Sequence, residues 1–308
     1  MSESADLRIN DQSYTLPIIM GKEQEQAIDI SQLRKQSKFI TFDDGYGNTG
    51  SCESAITFID GDKGILRYRG YDIEELAQKS NFLETCLLLI YGELPSSSQL
   101  SEFKERITKY SELPGDVLAS ICALPAETHP MGVLSCGLQA LGGAYPSLAS
   151  NNRQMDLDNF EDSSSLIISA IRSISAARYR LTRGMEDSTK PLSGDYCDDF
   201  LSMMFSTEDS AEMPAAVSKA LDLIFLLHAD HEQNCSTSTC RMIASGGANP
   251  FASVSGASSA LWGPLHGGAN MAVIKMLNEI HQSGDDGSGF IKSAKEGKTR
   301  LMGFGHRV

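Results

Sequence analysis

A chain of 308 residues is long enough to bury a sizeable hydrophobic core, as one large domain or as two. Its formal net charge of −14 argues against nucleic acid or an anionic membrane as a general partner. The seven cysteines form no CxxC pair, the polar start MSESADLRIN lacks the apolar core of a signal peptide, and no apolar run is long enough to span a bilayer. The sequence therefore predicts a cytoplasmic protein with reduced thiols.

The first 70 residues predict a small N-terminal β element. Alternating or β-rich pieces occur at 13–19, 39–42, 55–59 and 65–68. The run 61–64, Gly-Asp-Lys-Gly, predicts the turn of a hairpin between the last two. Asp60 and Asp62 suggest a calcium loop, but a third ligand and a distal glutamate are missing, so a turn is favoured.

From residue 73 onward, helical periodicity predominates and predicts a mainly α chain. The apolar run 82–91 ends at Gly92, as a buried helix does, and Ser96-x-x-Gln99 predicts a capping box. Further helices are predicted at 99–110, 115–123, 130–143, 163–182, 194–205 and 212–228.

Two polar segments divide this helical region. The segment 147–165 is polar and acidic, which predicts an exposed connection, whereas the glycine-rich and acidic run 284–289 predicts a hinge. We therefore expect an N-terminal element at 1–70, a helical large domain at 71–283 and a small domain beginning at 284–308.

Two histidines lie at the end of the apolar helix predicted at 212–228 and three residues beyond it. They continue one helical stripe, made of Val217, Leu221, Ile224, His228 and His231. Because this helix is apolar almost all round, we expect it to be buried, with both imidazoles pointing inward into a satisfied polar network or onto a ligand. A metal site is the weaker alternative, since the His-x-x-His spacing is not that of the zinc peptidases and nothing completes the ligand shell.

The segment WGPLHGGAN at 262–270 places His266 between a proline and two glycines. Gly267 and Gly268 carry no Cβ, which predicts a backbone that another molecule approaches closely. An apolar helical pattern follows at Val273, Met276, Leu277 and Ile280. A ring at the helix N-terminus is kept neutral by the dipole and can donate a hydrogen bond to a carbonyl oxygen that gains charge. A helix-capping histidine is the alternative.

The last residues combine glycines with the pair His306-Arg307, which can polarise and clamp a small carboxylate-bearing substrate. Basic residues are concentrated at 290–308, which indicates either a site for a polyanionic ligand or a solvated basic helix face. His129, before Pro130, and His281, on a polar face, are predicted to be structural.

Together, several segments resemble citrate synthase: ILRYRGYDIEELA (65–77), LLLIYGELPSSSQL (87–100), HADHEQNCSTST (228–239), GGANPFASVSGASSALWGPLHGGAN (246–270) and RLMGFGHRV (300–308). The resemblance extends over essentially the whole chain. It implies a citrate-synthase-like, mainly α fold with a helical large domain, a small N-terminal β element of the bacterial type and a truncated small domain. It also implies an acyltransferase that condenses acetyl-CoA with oxaloacetate and water to citrate and CoA, with no cofactor, as a homodimer or homohexamer.

The same resemblance implies roles for individual residues. His266 is similar to the histidine that stabilises the thioester enolate, and His306 to the one that polarises the ketone of oxaloacetate. Ser236 resembles the residue that hydrogen-bonds the first of these. Substrate-binding residues are implied at His231, Asn234 and Arg307, and CoA-binding residues at Arg300, Met302, Gly303, Phe304 and Gly305.

One departure concerns the catalytic base. In the family this aspartate, like three substrate-binding arginines, lies beyond the position of residue 308, so we expect the chain to be a fragment that is inactive as given. Three alternatives stay open: a 2-methylcitrate synthase that uses propionyl-CoA, a metal hydrolase built on His228 and His231, and an inactive truncated helical protein. The run 109–111, Lys-Tyr-Ser, matches part of an NADH-binding cluster but the rest has no match, so NADH control is not predicted.

Overall fold

The computed structural model describes residues 3–185, 195–207 and 213–304, and it is mainly α, as predicted. The chain divides between Ala55 and Ile56 into two compact units. The domain limits expected from the sequence, at 1–70, 71–283 and 284–308, stay predictions.

The first unit contains an antiparallel sheet of strand order β1-β2-β3 and a short helix. Its elements are β1 (Ser4–Ile9), β2 (Gln12–Met20), β3 (Gln26–Ile28) and α1 (Leu33–Ser37). Leu16 of β2 and Leu33 of α1 are its buried apolar side chains. The strand predicted at 39–42 is wrong: Phe42 is 92% exposed, and the chain leaves α1 through a left-handed residue, Lys38, into irregular backbone.

The second unit begins with a small antiparallel sheet of β4 (Thr57–Asp60), β5 (Ile65–Tyr68) and β6 (Tyr71–Asp72). The predicted hairpin between β4 and β5 is confirmed. Its turn is closed by the Asp60 carboxylate, which accepts hydrogen bonds from the backbone and the ammonium group of Lys63 at 3.0 and 2.7 Å.

The rest of the second unit is helical in the described residues. The helices are α2 (Ile73–Lys79), α3 (Phe82–Tyr91), α4 (Ser97–Lys109), α5 (Gly115–Cys122), α6 (Pro130–Ala144), α7 (Arg153–Asp158), α8 (Phe160–Thr182), α9 (Tyr196–Phe205), α10 (Ala215–Leu227), α11 (Cys235–Ser245), α12 (Pro250–Ala260), α13 (Gly268–Ser283) and α14 (Ser288–Lys295). The predicted capping box is confirmed, with Ser96 and Gln99 satisfying each other's backbone at the start of α4.

The prediction of an exposed connection at 147–165 is confirmed in part: residues 151–155 are exposed, but the segment is largely helical and its end is buried. Helix α7 and the first turns of α8 occupy much of it, and Ser163 and Ser165 are buried. Their hydroxyls return hydrogen bonds to carbonyls of the preceding turn, as in the 2.6 Å contact from Ser165 to Glu161. Serines satisfied in this way pack inside a helix, although their composition is typical of a loop.

Helix α8 is the centre of the largest core. Its face of Ala170, Ile174 and Ala177 packs with apolar residues of α5, α6 and α12. Two buried arginines of α8 satisfy carbonyls at the ends of neighbouring helices: Arg178 donates to Leu124 and Pro125 after α5, and Arg180 donates to Ser206 after α9. Helix ends without such partners would bury unsatisfied carbonyl groups. This core fixes α12, which leads directly to His266.

Candidate active site

His266 lies in the tight turn between α12 and α13. Its backbone N–H donates to the Gly263 carbonyl at 3.1 Å, and Gly268, the first residue of α13, donates to the same oxygen at 3.3 Å. The ring therefore stands one residue before the N-cap, as the sequence predicts.

Gly267, the first of the two glycines after His266, has a different role from the predicted one. A Cβ on Gly267 would stand 2.0 Å from the Leu261 carbonyl oxygen, and one on Gly268 would stand 3.4 Å from Pro264. The space beside Gly267 is therefore filled by the chain's own backbone. The interpretation that this glycine lets another molecule approach is wrong, because Gly267 is needed to bring the end of α12 against the start of α13.

The side chain of His266 is held by α11. Ser236 Oγ lies 2.7 Å from His266 Nε2, and Asn234 caps the same helix by accepting from the backbone N–H of Thr237 at 3.0 Å. The direction of this hydrogen bond depends on the ring tautomer: where the serine hydroxyl donates to Nε2, the ring proton lies on Nδ1. Across residues 3–185, 195–207 and 213–304, Nδ1 of His266 has no hydrogen-bond partner, so an N–H on this atom can donate to a ligand.

The environment favours a neutral imidazole. Burial lowers the pKa of His266, and repulsion from a protonated His231 lowers it further. The positive end of α13 acts in the same direction. A neutral ring that carries an N–H can donate a hydrogen bond to an oxygen that gains negative charge.

The prediction that His228 and His231 point into the core is wrong, because both are exposed. Helix α10 ends at Leu227, and it is buried on one side alone: Leu226 is 1% exposed and Ile224 is 51% exposed. His228 is the C-cap residue, and its Nδ1 lies 2.8 Å from the Ile224 carbonyl, as in a capping contact. An apolar composition cannot distinguish a buried helix from one with an open apolar side.

The segment between α10 and α11 carries His231 close enough to His266 for the two charges to interact. Asn234 Nδ2 donates to the His231 carbonyl at 3.3 Å, which closes this turn on itself. Glu232 has a left-handed φ of 51°, a conformation that costs energy in a residue with a side chain. A strained turn held between two helices fits a positioning role.

The predicted CoA-binding loop is described up to Phe304. The backbone N–H of Met302 donates to Met276 Sδ at 3.4 Å, and Gly303 adopts a φ of 87° with Val273 of α13 close by. Arg300 and Phe304 are exposed, as a ligand-contacting loop requires. Gly305, His306 and Arg307 lie outside the described residues, so the predictions for them stay predictions.

The two histidines that were predicted to be structural, His129 and His281, have different surroundings. His129 accepts a hydrogen bond from the backbone of Met131 and caps α6, as predicted, and its ring stacks on Trp262 at 5.3 Å between centroids. His281, on α13, is exposed. Within the described residues, no group of three His, Cys, Asp or Glu side chains is placed to hold a metal ion. Among the same residues, no helix is long and apolar enough to cross a membrane.

Comparisons with known proteins identify the family to which the chain is similar. Residues 45–308 match the family model described as the citrate synthase C-terminal domain. Citrate synthase 1 of Mycobacterium tuberculosis is 43% identical over 309 aligned positions, which span 99% of this chain and 71% of the relative.

Solved structures give the same result. The citrate synthase of Pyrobaculum aerophilum is similar with a TM-score of 0.74 and 32% identity, covering 94% of this chain and 68% of that one. A citrate synthase of Thermoplasma acidophilum, solved as a ternary complex with carboxymethyl coenzyme A and oxaloacetate, has a TM-score of 0.75 and 29% identity, covering 87% and 68%.

Proposed function

The chain belongs to the citrate synthase family, and we propose that it provides the enolate-stabilising part of an acyltransferase that condenses acetyl-CoA with oxaloacetate to citrate. The observation that carries this proposal is the contact between Ser236 and His266 at the start of α13. With Ser236 as the donor to Nε2, the neutral ring carries its N–H on Nδ1, directed away from the serine, and this N–H is the donor that the proposed reaction needs.

In the proposed reaction, His266 Nδ1–H donates to the thioester carbonyl oxygen of acetyl-CoA. Removal of a methyl proton then forms an enolate, or its enol, whose negative charge that hydrogen bond stabilises. The methyl carbon attacks the ketone carbon of oxaloacetate, and the ketone oxygen takes a proton. Water finally cleaves the thioester and releases CoA, so no cofactor is consumed.

The other predicted residues complete the proposal by their resemblance to the family. His306 polarises the ketone and protonates the new alkoxide, while His231, Asn234 and Arg307 bind oxaloacetate. The CoA adenine is assigned to the loop of Arg300, Met302, Gly303, Phe304 and Gly305. The closeness of His231 to His266 and the exposure of Arg300 and Phe304 support these assignments.

The family's general base and three of its substrate-binding arginines correspond to positions beyond residue 308. General-base catalysis contributes about 10²–10⁴-fold to a rate. We therefore propose that a polypeptide of these 308 residues alone releases CoA very slowly. We also propose that the catalytically complete protein is a cytoplasmic homodimer or homohexamer.

A chimera tests these proposals directly. Residues 1–308 are joined to the remaining C-terminal part of the Mycobacterium tuberculosis relative, and CoA release from acetyl-CoA is followed with and without oxaloacetate. The chimera should be active and the 308-residue polypeptide should not. His266→Gln in the chimera should lower kcat by about 10²–10³-fold, the cost of losing one oxyanion donor.

A matched control makes the result specific. His281→Gln removes an exposed imidazole from the same helix and should leave kcat unchanged. A chimera that folds, binds CoA and yet condenses nothing would refute the proposed function. A higher kcat/KM for propionyl-CoA than for acetyl-CoA would instead establish the 2-methylcitrate alternative, since one methylene changes binding by about 1–3 kcal/mol.

A further inference from the structure

The hydroxyl of Tyr68 is buried at the end of β5 and contacts the segment that carries His231. Tyr68 is 0% exposed, and its ring packs with Leu76, Leu88 and Leu226. Its Oη lies 3.3 Å from the Leu227 carbonyl oxygen and 3.1 Å from the Asp230 carbonyl oxygen. The backbone N–H of Asp230 donates back to the same Oη at 3.3 Å.

These contacts satisfy groups that the helix cannot satisfy. The Leu227 carbonyl is among the last four of α10, which have no intrahelical donor. Asp230 is part of the turn that leaves the helix. A single hydroxyl, shared between two acceptors and accepting from one donor, thus joins the end of α10 to that turn.

Tyr68 is itself held in place by the β5–β6 turn that follows it. The β5–β6 turn consists of Arg69 and Gly70, both with positive φ, at 51° and 90°. The Arg69 guanidinium donates to the Leu89 carbonyl at 2.6 and 3.1 Å, which ties the turn to the end of α3. Tyr68 therefore transmits the position of the sheet and of α3 to the α10–α11 turn.

From this turn the contacts continue to the candidate active site. The Asp230 carboxylate accepts from the Glu232 backbone at 2.9 Å, and Asn234 closes the turn and caps α11. The second residue of that helix, Ser236, contacts His266. We propose that Tyr68 is a positioning residue, whose hydroxyl holds the α10–α11 turn so that Ser236 and His231 keep their places beside the His266 ring. This inference rests on the proposed function for its importance to catalysis.

The test uses the titration of His266, which requires neither substrate nor turnover. In the 308-residue protein, ¹⁵N NMR resolves the imidazoles, and His266→Gln assigns the signal. Tyr68→Phe keeps the ring in its pocket but releases the turn, so His266 becomes better solvated. We expect its titration midpoint to rise by about half a pH unit, a threefold change in its ionisation constant.

Tyr196→Phe is the matched control. Tyr196 is also buried, at 6% exposed, and its hydroxyl donates to the Ile168 carbonyl at 2.8 Å, away from the α10–α11 turn. This variant should lose a similar amount of stability and leave the His266 midpoint unchanged. An unchanged midpoint in folded Tyr68→Phe, or an equal shift in both variants, would overturn the proposal.

If Tyr68→Phe does not fold, a second variant tests the next contact on the path from Tyr68 to His266. Asp230→Ala leaves the Tyr68 core intact and removes the carboxylate that holds the Glu232 backbone. It should raise the His266 midpoint in the same direction, and no change would overturn the proposal. None of these experiments measures condensation. The role of Tyr68 can therefore be refuted while the proposed function holds, and the proposed function can be refuted while the role of Tyr68 holds.

Discussion

Gly267→Ala should disrupt the turn that holds His266, whereas Gly268→Ala, one residue along, should not. Gly267 has a φ of −72°, so an alanine there carries no conformational penalty of its own. Its Cβ, however, would stand 2.0 Å from the Leu261 carbonyl oxygen and 2.9 Å from the Leu261 carbonyl carbon. Since unstrained carbon–oxygen contacts are about 3.3 Å, the end of α12 and the turn must separate by roughly 1 Å.

Both colliding groups are held by backbone, so no side-chain rotation relieves the contact. Overpacking costs about 1–3 kcal/mol, and we place Gly267→Ala at the upper end of this range. At a urea m-value of about 3 kcal/mol/M, this loss lowers the unfolding midpoint by about 1 M. The added Cβ of Gly268→Ala meets Pro264 at an ordinary 3.4 Å, and alanine at the start of a helix gains up to about 1 kcal/mol.

The assay is urea unfolding followed by circular dichroism, combined with the NMR signal of the His266 imidazole. Gly267→Ala should lower the midpoint and alter that signal, and Gly268→Ala should do neither. Equal midpoints for the two variants would refute the close packing of Leu261 against the turn.

Three further predictions follow from buried or titrating groups. Arg172→Met should lower the free energy of unfolding by about 3–5 kcal/mol, the cost of removing one member of a buried ion pair, because Arg172 lies 3.7 Å from the carboxylate of Asp199, which is 1% exposed. A loss below about 1 kcal/mol in denaturant unfolding would contradict this. Burial raises the pKa of Cys86 to about 12 and also raises the pKa of Cys197, so neither thiol should be alkylated in the native protein at pH 8. If mass spectrometry finds either thiol modified, that result would be inconsistent with their burial. The pKa of His266 is lower in the folded state than in the unfolded state, so folding favours its neutral form. This contribution to stability is present above pH 6.5 and is lost as the pH falls through 6.5 toward the folded-state pKa. The urea midpoint of the wild type should therefore fall more steeply between pH 7.5 and 5.5 than that of His266→Gln.

Local sequence rules predicted much of the helical architecture. Periodicity and capping signals identify the helix that follows Gly267 and the capping box at Ser96, because both depend on residues close in sequence. The same rules failed where tertiary contacts decide. The serines at the start of α8 lie where a predicted connection (147–165) and a predicted helix (163–182) overlap, and composition did not reveal that they are satisfied by the helix itself and buried by its neighbours.

The candidate active site shows the same limit of local sequence rules. Placing His266 before a helix needed the local sequence, and the family resemblance pointed to Ser236 as its partner. No sequence signal revealed that Tyr68 holds the turn of His231, since its hydrogen-bond partners lie 159 and 162 residues away. Composition also did not reveal that the backbone of Leu261 fills the space beside Gly267.

The most direct test of the central claim is the tautomer of His266, read at pH 7.5 from long-range ¹H–¹⁵N correlations of the imidazole. The contact with Ser236 predicts a neutral ring with its proton on Nδ1 and none on Nε2, and Ser236→Ala should yield a mixture of tautomers. A proton on Nε2 in the wild type, or an unchanged tautomer ratio in Ser236→Ala, would contradict the assignment of His266 as the oriented donor.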